Sequence, residues 1–153
     1  DEGGLALSLT DIDLDDLLLA EATRLRALGA VAVDVSGVHP ARVRGDIGLL
    51  RQVTRNLADN AARHARGRVV FGATQTGAGA LLSIEDDGDG VPEVERDRVF
   101  ERFVRLDEAR ARDAGGSGLG LAIVREIVRA HGGDVRVDAA PSGGARFTVT
   151  LPA

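Results

Sequence analysis

The chain contains no cysteine. It therefore has no disulfide, no thiolate nucleophile and no zinc–thiolate site. Lysine is missing as well: all 19 basic residues are arginine. That excludes the lysine-dependent P-loop, the catalytic lysine of eukaryotic-type protein kinases and Schiff-base chemistry. Aromatic residues make up 3% and every one is Phe, which argues against stacking platforms for single-stranded nucleic acid. No apolar run approaches the ~20 residues of a membrane span, and no signal-peptide pattern opens the sequence. The net charge of -5 leaves no basic footprint for nucleic acid. What is present is 153 residues, 44% hydrophobic and 28% charged, enough for one domain with a sizeable core. Gly is plentiful at 20, and much of it is clustered.

The hydrophobic periodicity places the elements. Residues 5–12 alternate loosely, as a short edge strand would. Residues 13–28 read as a helix with Leu14, Leu17, Leu18 and Ala22 on one side and acidic residues in its first turn. Val31, Val33 and Val35 make a strand, ended by Ser36-Gly37 and His39-Pro40, with 41–44 as a short partner strand. Asp46 is a good N-cap for a helix reaching about residue 66, whose core stripe is Leu50, Val53, Leu57 and Ala61. Runs 68–74 and 80–86 form a hairpin around the turn 75–79. A Gly- and acid-rich loop (87–92), a short helical piece (93–103) and a charged, aperiodic loop (104–116) follow. The length of that last loop points to a functional role. A helix over 117–131 is stopped by Gly132 and Gly133. A second hairpin closes the chain, with Val135 and Val137 facing Phe147, Val149 and Leu151. Three main helices should cover one face of the sheet, with no repeat and no internal boundary.

Three features carry chemistry. Asn56, Asn60 and His64 form one stripe of the second helix, with Arg63 beside it, next to the core stripe. Asn is a poor mid-helix residue, and two of them four apart offer carbonyl oxygens suited to a hard cation such as Mg²⁺. A solvated polar face has the same spacing. Asp86 shares a strand face with Leu82 and Ile84, the core face. A carboxylate there needs a donor, and the exocyclic amine of a purine is one; a strand-end Asp turned to water is the alternative. Gly88 and Gly90 let the backbone approach a flat ligand. The third feature is the run Gly116, Ser117, Gly118, Leu119, Gly120, Leu121 at a helix start, where backbone N–H groups and the helix dipole accept an anion. It is not the dinucleotide fingerprint, which wants Gly at position 121. Alone it is a weak signal. The three together suit a purine nucleoside triphosphate. Arg102, Arg105, Arg110 and Arg112 could supply positive charge for phosphoryl transfer, although a solvated loop would carry the same residues.

These segments resemble, in order and with usual spacing, the boxes of the catalytic ATP-binding domain of bacterial sensor histidine kinases. The N box is 56–64, the first Gly box 86–90, the F box 100–103 and the second Gly box 116–121, with Gly143, Gly144 and Phe147 as the last and weakest box. The resemblance implies an α+β fold of the Bergerat-type (GHKL) sandwich: a mixed sheet of about five main strands with three helices on one face. The whole of 1–153 would be one such domain, with 1–12 as the linker from a dimerisation domain. It implies that ATP and Mg²⁺ are the cofactors and that Asn60 binds the metal. Asn56 would support the phosphate and metal site. Arg63 stands where the family usually has Lys, which keeps the charge and changes reach and geometry. His64 would contact the phosphate end, and Asp86 would accept from the adenine amine. Gly88, Gly90, Val91 and Phe103 would line the nucleotide, and Gly116, Ser117, Gly118, Leu119, Gly120 and Leu121 would hold its phosphates. Residues 104–116 would form a lid, with Arg105 among the catalytic groups and Phe100 and Phe103 as its apolar hinge.

Such kinases carry their phosphoacceptor His on an upstream helical hairpin. The histidines here are His39, before a Pro, His64, in the N box, and His131, at a helix end; none has the acceptor context. The expectation is a monomeric catalytic fragment from the cytoplasmic portion of a membrane sensor. It would act on its own upstream helices and only indirectly on a response regulator, without direct contact with nucleic acid or membrane. A clamp ATPase of the gyrase or chaperone type is the main alternative. Those enzymes place a Glu four residues before the metal Asn to activate water, and here that residue is Asn56, an amide that cannot serve as the base. An anti-sigma serine kinase usually carries that acid too. A degenerate nucleotide sensor is disfavoured by the intact boxes.

Overall fold

The structure, a computed structural model, describes residues 5–101 and 120–153. The expected lid over 104–116 and the first part of the second Gly box lie outside the described residues.

A five-stranded mixed sheet has the order β2-β4-β5-β7-β6, from Ala32–Val38, Arg68–Thr76, Gly79–Asp86, Ala145–Pro152 and Asp134–Ala139 respectively. Strand β2 runs parallel to β4, and the other pairs are antiparallel. Alternation decides the faces. Val69, Phe71, Ala73, Leu82, Ile84, Val135, Val137, Phe147 and Val149 are buried on one side. Their neighbours Val70, Leu81, Ser83 and Glu85 are only half-buried on the other. Three helices cover the buried side: α1 (Leu14–Leu28), α2 (Ile47–His64) and α3 (described as Gly120–Ala130). The stripe Leu50, Val53, Leu57, Ala61 is fully buried as its 3.6-residue spacing requires, joined by Thr54 and Ala58.

One expectation is corrected. The strand β3 (Arg42–Gly45) pairs antiparallel with β1 (Thr10–Asp13), not with the strand before it. Both are four residues long and bury one apolar side chain each, Ile12 and Val43, so each needs the other to cover it. The strand β2 also runs past Ser36-Gly37 to Val38, with a register irregularity between Asp34 and Gly37. The expected helical piece after the Gly loop is two single 3₁₀ turns, Glu93–Glu95 and Arg98–Phe100.

Asp46 holds three segments together. Its carboxylate accepts from Leu49 N–H at 3.1 Å as the N-cap of α2, and from Ser8 N–H at 3.0 Å. Its own N–H donates to His131 Nε2 at 3.1 Å, and His131 Nδ1 lies 2.8 Å from the Ile127 carbonyl. The first contact makes Nε2 the acceptor, so Nδ1 carries the proton and donates. The N-terminus of α2 is thereby tied to the C-terminal end of α3. At their other ends the same two helices bring the N box and the second Gly box together.

Candidate functional site

Asp86 ends β5 on the buried face and is 3% exposed. Its Oδ1 accepts from Gly88 N–H at 2.8 Å and Ala145 N–H at 3.4 Å. Its Oδ2 has no partner among the described residues, and no fully buried side-chain oxygen among them lacks one, so Oδ2 reaches the surface. Burial pushes this carboxyl above its ordinary value of 3.8, against the opposing pull of the two N–H groups and His64. One oxygen is thus held by the protein, and the other is an acceptor without a donor.

The walls around it are backbone. A Cβ on Gly88 would sit 2.1 Å from the His64 carbonyl oxygen, which no side chain tolerates. Gly90 adopts a φ of +78°, in the left-handed region that only glycine enters cheaply. Next door, the Asp87 carboxylate accepts from three successive N–H groups, Arg66 at 2.8 Å, Gly67 at 3.0 Å and Arg68 at 3.2 Å. Those bonds hold its pKa below the usual carboxylate range, with Gly67 the largest cause. Arg66 also pairs with Asp89. The Gly loop is therefore clamped to the connection between α2 and β4.

Asn56 and Asn60 are half-buried on α2, while Arg63 and His64 are exposed at its end. Asn56 Nδ2 donates to the Gly120 carbonyl at 3.3 Å, so the N box touches the end of the second Gly box directly. Asn60 has no side-chain hydrogen bond among the described residues. Leu121 and Val91 are partly buried and pack against the core, and Arg96 Nε donates to the Val91 carbonyl at 3.2 Å. Phe100 is buried edge-on against Phe147 at 5.9 Å between centroids, with the Arg125 guanidinium over its ring at 5.4 Å. The F box is thus anchored to the central sheet and α3. Arg102, Phe103, Arg105, Arg110, Arg112, Gly116, Ser117, Gly118 and Leu119 lie outside the described residues. Two residues beyond the expected nucleotide site also reach Asp86: Ser142 Oγ donates to its carbonyl at 3.1 Å, and Gly144 packs against its backbone. The signal for Gly144 was the last Gly box; Ser142 lies just outside that box, and both meet Asp86 only once the hairpin closes.

Residues 45–153 match the family model described as histidine kinase-, DNA gyrase B- and HSP90-like ATPase. The chain belongs to this family. Within it, the similarity is to sensor histidine kinase catalytic domains. The sensor protein RstB of Escherichia coli K12 is 41% identical over 142 residues, 90% of this chain and 33% of RstB. SenX3, a sensor-like histidine kinase of Mycobacterium tuberculosis H37Rv, is 38% identical over 151 residues, 95% of this chain and 37% of SenX3. The chain therefore spans about a third of the length of these curated relatives. Among solved structures, the mycobacterial sensor histidine kinase MprB superposes with a TM-score of 0.82 at 36% identity, covering 95% of this chain and 97% of that one. The expected α+β fold, with its mixed five-stranded sheet, is the fold of this family. Among the described residues no helix is long and apolar enough to cross a membrane.

Proposed function

We propose that this domain binds Mg-ATP and donates the γ-phosphoryl group to a histidine on a separate dimerisation and phosphoacceptor domain of a sensor kinase. The observation that carries the reading is Asp86: a buried carboxylate with one oxygen bonded to backbone, the other open, and glycines on either side. That is an acceptor for the 6-amino group of adenine. Asn56 ties α2 to the Gly120 carbonyl, and Gly88 beside Asp86 packs on His64 at the end of the same helix, so α2 adjoins both the base acceptor and the expected phosphate run.

The residues present fit Mg²⁺. Asn60 offers a half-buried amide oxygen with no competing partner among the described residues, and Mg²⁺ typically takes one or two protein oxygens plus phosphates and water. When bound, the cation would neutralise charge on the β- and γ-phosphates. The chain's own residues then bind and orient. Asp86 fixes the base, Asn56 holds the N box against Gly120, and Arg63, His64 and Arg105 are the groups assigned to the phosphate end. In the transfer the bond from the γ-phosphorus to the bridging oxygen breaks, a bond to the acceptor imidazole nitrogen forms, and ADP leaves. His131 is not that acceptor, since both its ring nitrogens are engaged inside the fold. The response regulator would be reached only through the acceptor domain, and the domain would work on the cytoplasmic side of its sensor.

The test is turnover. Position 56 holds an amide where clamp ATPases hold a water-activating acid, so the chain alone should bind Mg-ATP and hydrolyse it very slowly. Adding the helical hairpin of its natural parent should allow phosphoryl transfer to a His there. Fast steady-state hydrolysis by the chain alone would transfer the assignment to a clamp ATPase.

A further inference from the structure

The β6–β7 turn lies against Asp86 at several points. It is closed by Gly143 N–H donating to the Ala140 carbonyl at 2.9 Å and Ala140 N–H donating to the Gly144 carbonyl at 2.8 Å. From this closed turn Ser142 Oγ donates to the Asp86 carbonyl at 3.1 Å, and Ala145 N–H reaches Oδ1 at 3.4 Å. Gly144 is packed so tightly that a Cβ there would stand 2.1 Å from the Asp86 carbonyl oxygen and 2.7 Å from Oδ1. The far side of the same turn meets the Gly loop, where a Cβ on Gly90 would be 2.9 Å from the Gly143 oxygen. Both the peptide and the carboxylate of Asp86 are therefore located by a segment more than fifty residues away in sequence.

We infer that Ser142 and Gly144 are positioning residues for base selection: the turn holds the Asp86 peptide and Oδ1 so that Oδ2 is presented to the exocyclic amine of a purine. The inference rests on the adenine-nucleotide reading above and adds to it the source of the carboxylate's orientation. A carboxylate aimed in this way accepts from the 6-amino group of adenine and repels the 6-keto oxygen of hypoxanthine. Loosening the turn should cost the first interaction and relax the second.

The experiment is calorimetric titration of the 153-residue chain with ATP and with ITP, which differ at that position of the base, in the presence of Mg²⁺. The variants are Ser142→Ala, Ser142→Thr and Gly144→Ala. The parent should prefer ATP. Ser142→Ala, which removes one hydrogen bond, should shrink that preference by about threefold, and Gly144→Ala by about tenfold or more. Neither should change ITP affinity by more than about twofold, since the ribose and phosphate contacts are untouched. Ser142→Thr keeps the hydroxyl and should restore the preference. Equal weakening of ATP and ITP would show that the turn only supports the fold, and an unchanged preference would show that it does not orient Asp86; either overturns the inference while the adenine site stands. A parent without any preference would overturn the adenine site and the inference with it. If Gly144→Ala does not fold, Ser142→Ala decides, because Ser142 is at the surface.

Discussion

Asp86 is costly to bury in its ionised form. A buried carboxyl whose pKa is raised favours its protonated form in the native state, so its ionisation opposes folding. The native state then binds more protons than the unfolded chain between the ordinary value and the raised one. Stability from this group therefore falls as pH rises through that window and recovers as pH falls. Asp86→Asn removes the titration, so the stability difference should move in the parent's favour on acidification, read by chemical denaturation at a series of pH values. For binding the sign is opposite: only the ionised carboxylate is a pure acceptor, so the parent should lose its preference for ATP over ITP as pH falls through the same window. At neutral pH Asp86→Asn should weaken ATP binding by about 1.5–3 kcal/mol, the range for a hydrogen bond to a charged group. An Asn variant that binds ATP as tightly as the parent would remove Asp86 from the base pocket.

At the scale of elements, α1 and α2 meet around a second buried acid. Glu21 is 3% exposed and accepts from Arg24 at 2.6 Å and from Arg55 at 3.2 Å, while Arg24 also reaches Asp59 at 2.6 Å. The arginine side chains retain 27% and 50% exposure, so the desolvation falls on the carboxylate. Removing an arginine and removing the acid are then not equivalent. Arg24→Ala leaves a buried charge with one partner and should cost about 2–3 kcal/mol, whereas Glu21→Leu leaves Arg24 paired with Asp59, returns the half-exposed Arg55 to water and should cost less than about 1 kcal/mol. Urea unfolding of the two variants checks the order, and ATP affinity should stay constant in both. A larger cost for Glu21→Leu would mean that the network itself stabilises the α1–α2 contact.

Element boundaries show which signals were local. The Asp46 N-cap, the α2 stripe, both hairpins and the core face of β5 follow from residue spacing and were legible in the sequence. The partners of the edge strands were not. Strand β3 carries a single inward apolar residue, Val43, which fits a pairing with β1 or β2 equally well. The parallel β2–β4 pairing depends on a crossover through α2, so nothing adjacent in sequence announces it. The site was legible as boxes because each box is a local chemical pattern. The contribution of Ser142 and Gly144 was not, since it exists only where the β6–β7 turn closes onto the end of β5.

For the molecule as a whole, the candidate site lies where β5, the β6–β7 turn, α2 and the start of α3 come together. In the proposed reading the base acceptor is Asp86 on β5, supported by the β6–β7 turn, the metal amide is Asn60 on α2 and the phosphate run leads into α3, while Asp46 and His131 join the opposite ends of the two helices. A ligand that spans these parts binds the native state and not the unfolded chain, so it must stabilise the whole domain by mass action. At a hundred times the dissociation constant the gain is about 2.7 kcal/mol. For a domain near 150 residues each kcal/mol raises the melting temperature by about 2–4 °C, so saturating Mg-ATP should raise it by roughly 5–10 °C. The increment should grow with the logarithm of ATP concentration. Chelating Mg²⁺ should shift the same curve to higher ATP, because Asn60 would then face the phosphates without the cation that neutralises them. Asp86→Asn should shift it by a separate step, through the base. The two shifts report distant ends of one ligand and should add within about 0.5 kcal/mol. A melting temperature that does not respond to ATP, or a shift that is indifferent to both Mg²⁺ and Asp86, would mean that these parts do not form a single nucleotide site.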